Sequence, residues 1–180
     1  MIAKKALSIV AIAALAGPVF AAGGDGGDAP APTTGTKTCL FGKVWDADAG
    51  KCVKPDKSSL SLDQKIDAVR ELAYAGKYEH AQVILSSIKD QTDDRVMTYW
   101  GFTTRKMGDV DAGMRYYNKA LATNPDNLLV RSYMGQALVE MGRLDLAQTQ
   151  LLEIRMRGGA GSWPEVSLAE AIRTGRTHNY

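Results

Sequence analysis

Apolar side chains recur at helical spacing from residue 58 to the end of the chain. Ala81, Ile84 and Ile88 fall at i, i+3 and i+7, which places them on one face of a helix. Ser61 with Gln64 has the spacing of a capping box at the first helix start. A second such pair is Ser162 with Glu165, at the start of the last helix. The pattern predicts seven helices near 62–75, 79–91, 94–107, 111–123, 128–141, 145–157 and 164–174.

The predicted helix breaks repeat along the chain. A helix ends at a glycine, two residues pass, and a small residue stands five positions after that glycine. The three glycines are Gly76, Gly108 and Gly142, at intervals of 32 and 34 residues. Self-similarity at such a period predicts an array of paired helices.

This pattern resembles the tetratricopeptide repeat family, and the middle copy at 94–127 is the clearest. In that copy the places of the family pattern are held by Trp100, Gly101, Gly113, Tyr117, Ala120 and Pro125. The resemblance implies an all-α, right-handed superhelical solenoid over 58–180, made of three helix pairs and a capping helix at 164–174. The repeats would span about 62–93, 94–127 and 128–161. Gly101 and Gly113 would let their two helices approach closely.

The resemblance also implies a scaffold that holds a peptide or a partner helix in a groove lined by the first helix of each repeat. A groove with such side chains can grip an extended segment. The family's groove-facing places fall on Arg70, Tyr74, Thr98, Phe102, Arg105, Ser132, Gln136 and Glu140.

The N-terminal residues predict export. Lys4 and Lys5 precede the apolar run 6–16, and Val19 and Ala21 suit cleavage after Ala21, which makes 1–21 a signal peptide. The run is too short to span a bilayer, so no membrane insertion is expected after cleavage. Residues 22–37 hold no large apolar side chain and predict a flexible linker. We therefore expect a periplasmic or secreted protein.

Export also changes the charge. The chain has 22 Lys and Arg against 20 Asp and Glu, and removing Lys4 and Lys5 leaves 20 of each sign. A neutral chain argues against nucleic acid as a partner, because nucleic-acid binding relies on a basic patch.

The two cysteines, Cys39 and Cys52, lie between the linker and the helices, in a segment at 38–57. Two cysteines with twelve residues between them fit neither a zinc site nor a C-x-x-C redox pair. In an exported protein such a pair predicts a disulfide, here closing a small hairpin. The segment locally resembles the last hairpin of peritrophin-type chitin-binding modules, which implies that an exposed Trp45 could stack on a sugar ring. The alternative is that Trp45 and Phe41 pack the hairpin against the first helix.

Catalysis finds little support in the sequence. The two histidines, His80 and His178, lie in no pattern with a known catalytic mechanism. The glycine-rich stretches at 23–27 and 158–162 lack the sequence setting of a phosphate-binding loop. We expect no enzyme, no cofactor and no metal. The sequence predicts an exported scaffold that binds another envelope protein or a peptide segment. The alternative is a cell-wall or glycan-binding module that uses the hairpin. The oligomeric state is left open.

Overall fold

The computed structural model of the 180-residue chain describes residues 39, 41–46 and 48–177. The predicted signal peptide at 1–21, the predicted linker at 22–37 and His178 lie outside the described residues. The described residues form two strands, seven α-helices and a short 3-10 helix at Pro55–Lys57. The strands are β1 (Val44–Asp46) and β2 (Lys51–Val53). The helices are α1 (Leu62–Tyr74), α2 (Tyr78–Ser86), α3 (Asp94–Lys106), α4 (Val110–Thr123), α5 (Leu128–Glu140), α6 (Leu144–Ile154) and α7 (Trp163–Thr174).

The seven helices form three pairs and a final single helix. Helix α1 packs on α2, α3 on α4, and α5 on α6, while α7 lies against α5 and α6. Helix α3 also contacts α1 and α5, so the first helices of the three pairs are neighbours. This arrangement confirms the predicted all-α fold of helix pairs with a C-terminal capping helix. No described helix is both long enough and apolar enough to cross a membrane.

The first helix of each pair ends in the same way. Gly76, Gly108 and Gly142 have φ angles of 72°, 104° and 72°, a left-handed conformation that glycine adopts without a Cβ clash. The residue after each glycine donates its backbone N–H to the carbonyl five positions earlier. These bonds measure 2.8, 3.2 and 2.7 Å, at Lys77, Asp109 and Arg143. The repeated glycine therefore marks a repeated helix end.

Helices α3 and α4 approach so closely that only glycine fits at two facing positions. A Cβ on Gly101 would lie 2.5 Å from the ring of Tyr117, and one on Gly113 would lie 2.9 Å from the carbonyl oxygen of Gly101. Tyr117 is fully buried in this contact. The close approach expected from the two glycines is confirmed.

Two helices end earlier than predicted. Helix α2, expected to reach residue 91, ends at Ser86, where the hydroxyls of Ser86 and Ser87 donate to the carbonyls of Val83 and Ile84. Such local bonds compete with the helical ones. The Gln91 amide then donates to two further carbonyls, at 2.9 and 2.6 Å.

Helix α6, expected to reach residue 157, ends at Ile154 in a single wide turn over Arg155–Gly159, where Gly158 has φ 81°.

The two predicted capping boxes have different outcomes. At α1, the Ser61 hydroxyl accepts the Gln64 N–H at 3.3 Å and the Gln64 side chain accepts the Ser61 N–H at 2.9 Å. At α7 the box is absent, because Ser162 donates instead to the carbonyl of Gly159 and Glu165 pairs with Arg155. Glu165 therefore pairs with Arg155 and not with the backbone N–H of Ser162, as a capping box would require.

The hairpin is closed by a disulfide between Cys39 and Cys52, as the sequence predicted. Strands β1 and β2 are antiparallel, with Val44 opposite Val53. Closing a loop of this length stabilises the segment by roughly 3 kcal/mol in the chain-entropy model. Val44 is buried in the same core as the helices, so the hairpin is attached to the helical array.

A buried carboxylate joins the hairpin to the start of α1. Asp46 accepts hydrogen bonds from the backbone N–H of Ser59 at 2.8 Å and of Ala49 at 3.0 Å, and from the Ser59 hydroxyl. These bonds, the Ser59 backbone bond first, lower the pKa of Asp46 below its usual value. The ionised carboxylate therefore holds both the hairpin turn and the chain that leads into α1.

Candidate protein-binding surface

The predicted groove residues lie on α1, α3 and α5, which are adjacent helices. The structure brings Tyr74, Phe102, Arg105 and Glu140 together. The Tyr74 and Phe102 ring centroids are 5.9 Å apart, and the Arg105 guanidinium is 5.8 Å from the Phe102 ring. Arg105 Nη1 lies 2.9 Å from Glu140 Oε2, which links α3 to α5.

The other four predicted residues have separate local partners. Arg70 pairs with Asp67 on its own helix at 2.9 Å. Thr98 donates to the carbonyl of Asp94. Ser132 and Gln136 hydrogen-bond to each other at 3.3 Å, and the Ser132 hydroxyl lies 3.0 Å from that of Ser167 on α7.

Five of the eight predicted side chains are buried, which the groove prediction did not anticipate. These five are Thr98, Phe102, Arg105, Ser132 and Gln136, each 3% exposed or less. Glu140 is exposed, and Arg70 and Tyr74 are half-buried. A ligand could reach the five only if the side chains that cover them moved, so their role in binding stays a prediction.

Aromatic rings from three helices cover Phe102. Tyr133 of α5 lies 4.7 Å from it and Tyr78 of α2 lies 6.3 Å from it, centroid to centroid. The hydroxyls of Tyr74 and Tyr133 share a short hydrogen bond across the cluster. Edge and tilted contacts of this kind stabilise beyond the area they bury. The rings therefore fill the space that an open groove would leave at Phe102.

Two cations share one carboxylate beside these rings. Lys106 Nζ lies 3.9 Å from Glu140 and 5.9 Å from the Phe102 ring centre. Burial, with the neighbouring Arg105 charge, lowers the pKa of Lys106 to about 8, although Glu140 opposes the shift. Burial also acts to lower the pKa of Arg105, but Tyr117 and Glu140 outweigh it and the pKa is raised. Positive charge therefore exceeds negative charge in this cluster.

We call the side chains Tyr74, Tyr78, Phe102, Lys106 and Glu140 the aromatic–ionic surface. The sequence analysis did not include Tyr78 and Lys106. Tyr78 lies on α2, a second helix of a pair, and Lys106 lies on α3 but not at a groove-facing place of the family pattern. Lys106 follows a predicted residue directly in the sequence, and Tyr78 begins the helix after Gly76. Both stay partly accessible, as does Tyr74.

The hairpin places its two aromatic side chains differently. Trp45 is half-buried and lines a small cavity of about 70 Å³ with Ala68 and Leu72 of α1. The expectation that Trp45 packs toward the first helix agrees with this position. The same expectation for Phe41 is wrong, because Phe41 is 80% exposed.

Within the part of the chain that the structure describes, no three His, Cys, Asp or Glu side chains are grouped so that they could hold a metal ion. His80 is half-buried on α2.

A family model described as tetratricopeptide repeat matches residues 105–170, from the end of α3 into α7. No curated protein and no solved structure matches the chain. The match covers the second half of the helical array, in which α5 and α6 pair and α7 packs on both. Over residues 105–170 the chain is therefore similar to tetratricopeptide repeats, and the paired helices of the structure agree with that likeness.

Proposed function

We propose that this protein is an exported scaffold that binds another protein of the cell envelope through the aromatic–ionic surface. Tetratricopeptide repeats generally mediate protein–protein interactions. The observation that carries the proposal is the accessible part of this surface. Tyr74 and Tyr78 stay partly open above the buried Phe102, with Lys106 and the exposed Glu140 beside them.

The composition of the surface fits a protein partner. Tyrosine is enriched at the centres of interfaces because its ring buries a large area while its hydroxyl still finds a polar partner. The neighbouring cation and carboxylate can pair with polar groups of an extended segment. No cofactor enters this proposal.

The disulfide supports export. Disulfides persist in oxidising compartments and are rare in the cytosol. Residues 1–38, fused to an alkaline phosphatase that lacks its own leader, should give an active enzyme outside the cytoplasm. A fusion that stays inactive and cytosolic would contradict export without touching the binding proposal.

Binding is tested by photo-crosslinking. Benzoylphenylalanine replaces Tyr74 in one strain and Tyr78 in another, and the same probe at Tyr116 on α4 is the matched control. Tyr116 is also a half-buried tyrosine, but it stacks on Trp100 at 5.9 Å, apart from the aromatic–ionic surface. One protein captured from both test positions and not from Tyr116 supports the proposal. Equal capture at all three positions, or at none, refutes it.

The alternative, glycan binding through the hairpin at Trp45, has less support. Trp45 is half-buried beside α1, and a ring that stacks on a sugar needs an open face. Binding of soluble cell-wall fragments that is lost in Trp45→Ala, with Tyr74→Ala unaffected, would favour the glycan function over the scaffold.

A further inference from the structure

Phe41 is held in an unusual conformation at the surface. Its φ is 58°, and it is the one non-glycine residue of the described chain with a positive φ. Phe41 is 80% exposed, the highest value among the large apolar residues that the structure describes. A Cβ is disfavoured in this backbone region, and strained residues of this kind cluster at binding sites. The ring is therefore presented to solvent at a cost that packing against the other described residues does not repay.

The neighbouring structure braces the turn that carries this ring. Gly42 also has a positive φ, of 65°, and a Cβ built on it would lie 3.0 Å from the Cβ of Val83. The turn thus rests directly on α2. Two residues before Phe41, the Cys39–Cys52 disulfide ties the same turn to β2. Phe41 belongs to a braced turn, which lowers the entropy that a partner would lose on binding it.

Beside Phe41 lies an open hollow of about 520 Å³, which we call the hairpin hollow. It is lined by Val83 and Ser86 of α2 and by Lys43 and Lys54. The two lysines stand just before β1 and just after β2. Because Val44 pairs with Val53, the lysines flank the open end of the hairpin. Val83 is 45% exposed in the hollow.

The charges around the hairpin hollow are unbalanced. Neither Lys43 nor Lys54 forms an ion pair with another described residue. The acid that lines the hollow, Asp56, lies 3.8 Å from Lys57 outside it. The Phe41 ring and the apolar side chain of Val83 are thus bordered by two cations that have no ion-pair partner among the described residues.

We propose that the hairpin hollow binds an extended segment of a partner protein in which a large apolar side chain stands next to Asp or Glu. The apolar side chain would enter the hollow against Phe41 and Val83, and the carboxylate would pair with Lys43 or Lys54. A concave site beside the ring favours an inserted side chain over a flat lipid surface. The hollow does not include the aromatic–ionic surface, so this proposal stands independently of the one above.

The test starts from a phage-displayed library of random 12-residue peptides. The library is selected on the purified full chain with its disulfide formed, after depletion on the Phe41→Gly variant. Glycine accepts φ 58°, so this variant removes the ring while it favours the fold. The enriched peptides should carry a large apolar residue within two positions of an acid. The best peptide is then synthesised and its affinity measured by calorimetry.

The affinity should fall at least tenfold in Phe41→Gly and at least tenfold in the Lys43→Glu, Lys54→Glu double variant. It should not change in Tyr74→Ala, the control on the aromatic–ionic surface. Enriched peptides without Asp or Glu would overturn the proposal. A peptide affinity that is unchanged in both Phe41→Gly and the double lysine variant would also overturn it.

Three other occupants would also overturn the proposal. They are phosphatidylglycerol vesicles, cell-wall glycan fragments and a second copy of this chain. Binding of the vesicles and of the glycan fragments is measured with the wild type and with Phe41→Gly, and dimers are measured by sedimentation. Binding or dimer formation that is lost in Phe41→Gly would identify that occupant instead.

Discussion

The close approach of α3 and α4 can be tested with one methyl group. Gly113→Ala adds a Cβ to α4 where it faces α3. That Cβ would lie 2.9 Å from the carbonyl oxygen of Gly101 and 2.9 Å from the Cβ of Arg105. Both atoms belong to, or are attached directly to, the α3 backbone. They cannot rotate away, so the two helices must separate to admit the methyl group.

Two opposing free energies decide whether Gly113→Ala stabilises or destabilises the fold. Alanine stabilises a helix interior by about 1 kcal/mol relative to glycine. Overpacking costs about 1–3 kcal/mol, and we expect the upper end because backbone has to move. Gly113→Ala should therefore lower the free energy of unfolding by about 2 kcal/mol. For a chain of this size that lowers Tm by roughly 4–8 °C.

Gly135→Ala is the matched control. Its Cβ would lie 2.5 and 2.6 Å from the two Cδ atoms of Leu168 on α7, which belong to a rotatable side chain. The cost should be smaller, so Gly113→Ala should be the less stable variant. Urea unfolding followed by helical circular dichroism measures both, with unchanged m-values showing that the unfolded states are comparable. A Gly113→Ala protein as stable as the wild type, or more stable than Gly135→Ala, would refute this packing argument.

Three further predictions concern charge and the hairpin. The pKa of Lys106 is about 8 in the folded chain and near 10.4 in the unfolded chain. Between these two pH values the unfolded chain binds more protons than the folded chain. The free energy of unfolding should therefore rise with pH across this window. Lys106→Met should remove this rise and be more stable at pH 7, as urea titrations at pH 7 and pH 9.5 would reveal; an unchanged pH dependence would contradict the burial of the amine. Replacing Cys39 and Cys52 with serine should cost the hairpin roughly 3 kcal/mol, seen as faster proteolysis near residue 50 with helical circular dichroism retained; unchanged proteolysis would show that the hairpin is held by its other contacts. Asp46 has a lowered pKa, so its contribution is present above about pH 4 and lost as pH falls further; Asp46→Asn should expose the Ser59 amide to hydrogen exchange at pH 7, and protection equal to the wild type would count against the carboxylate.

The repeat and the disulfide could be predicted because both depend on local information. Three helices end in the same way, at a glycine with positive φ. The residue after that glycine donates its N–H to the carbonyl five positions earlier. These ends are set by backbone chemistry within about six residues. The pairing of Cys39 with Cys52 needed only a count of cysteines and a compartment. The periodicity of apolar residues predicted all seven helices for the same reason.

The accessibility of the candidate site was decided by the tertiary structure. Sequence position placed eight residues on the first helices of the repeats, but Phe102 and Arg105 are buried by rings and by a carboxylate from other helices. How far a groove opens depends on which side chains from distant segments fill it, and no local pattern records that. The exposure of Phe41 follows the same rule. The disulfide and the contact of Gly42 with Val83 hold the turn that carries Phe41, and its ring stays exposed. The sequence alone thus determined the helices, their pairing and the disulfide, because these follow from spacing along the chain. Only the packing of distant segments decided which side chains a partner can touch.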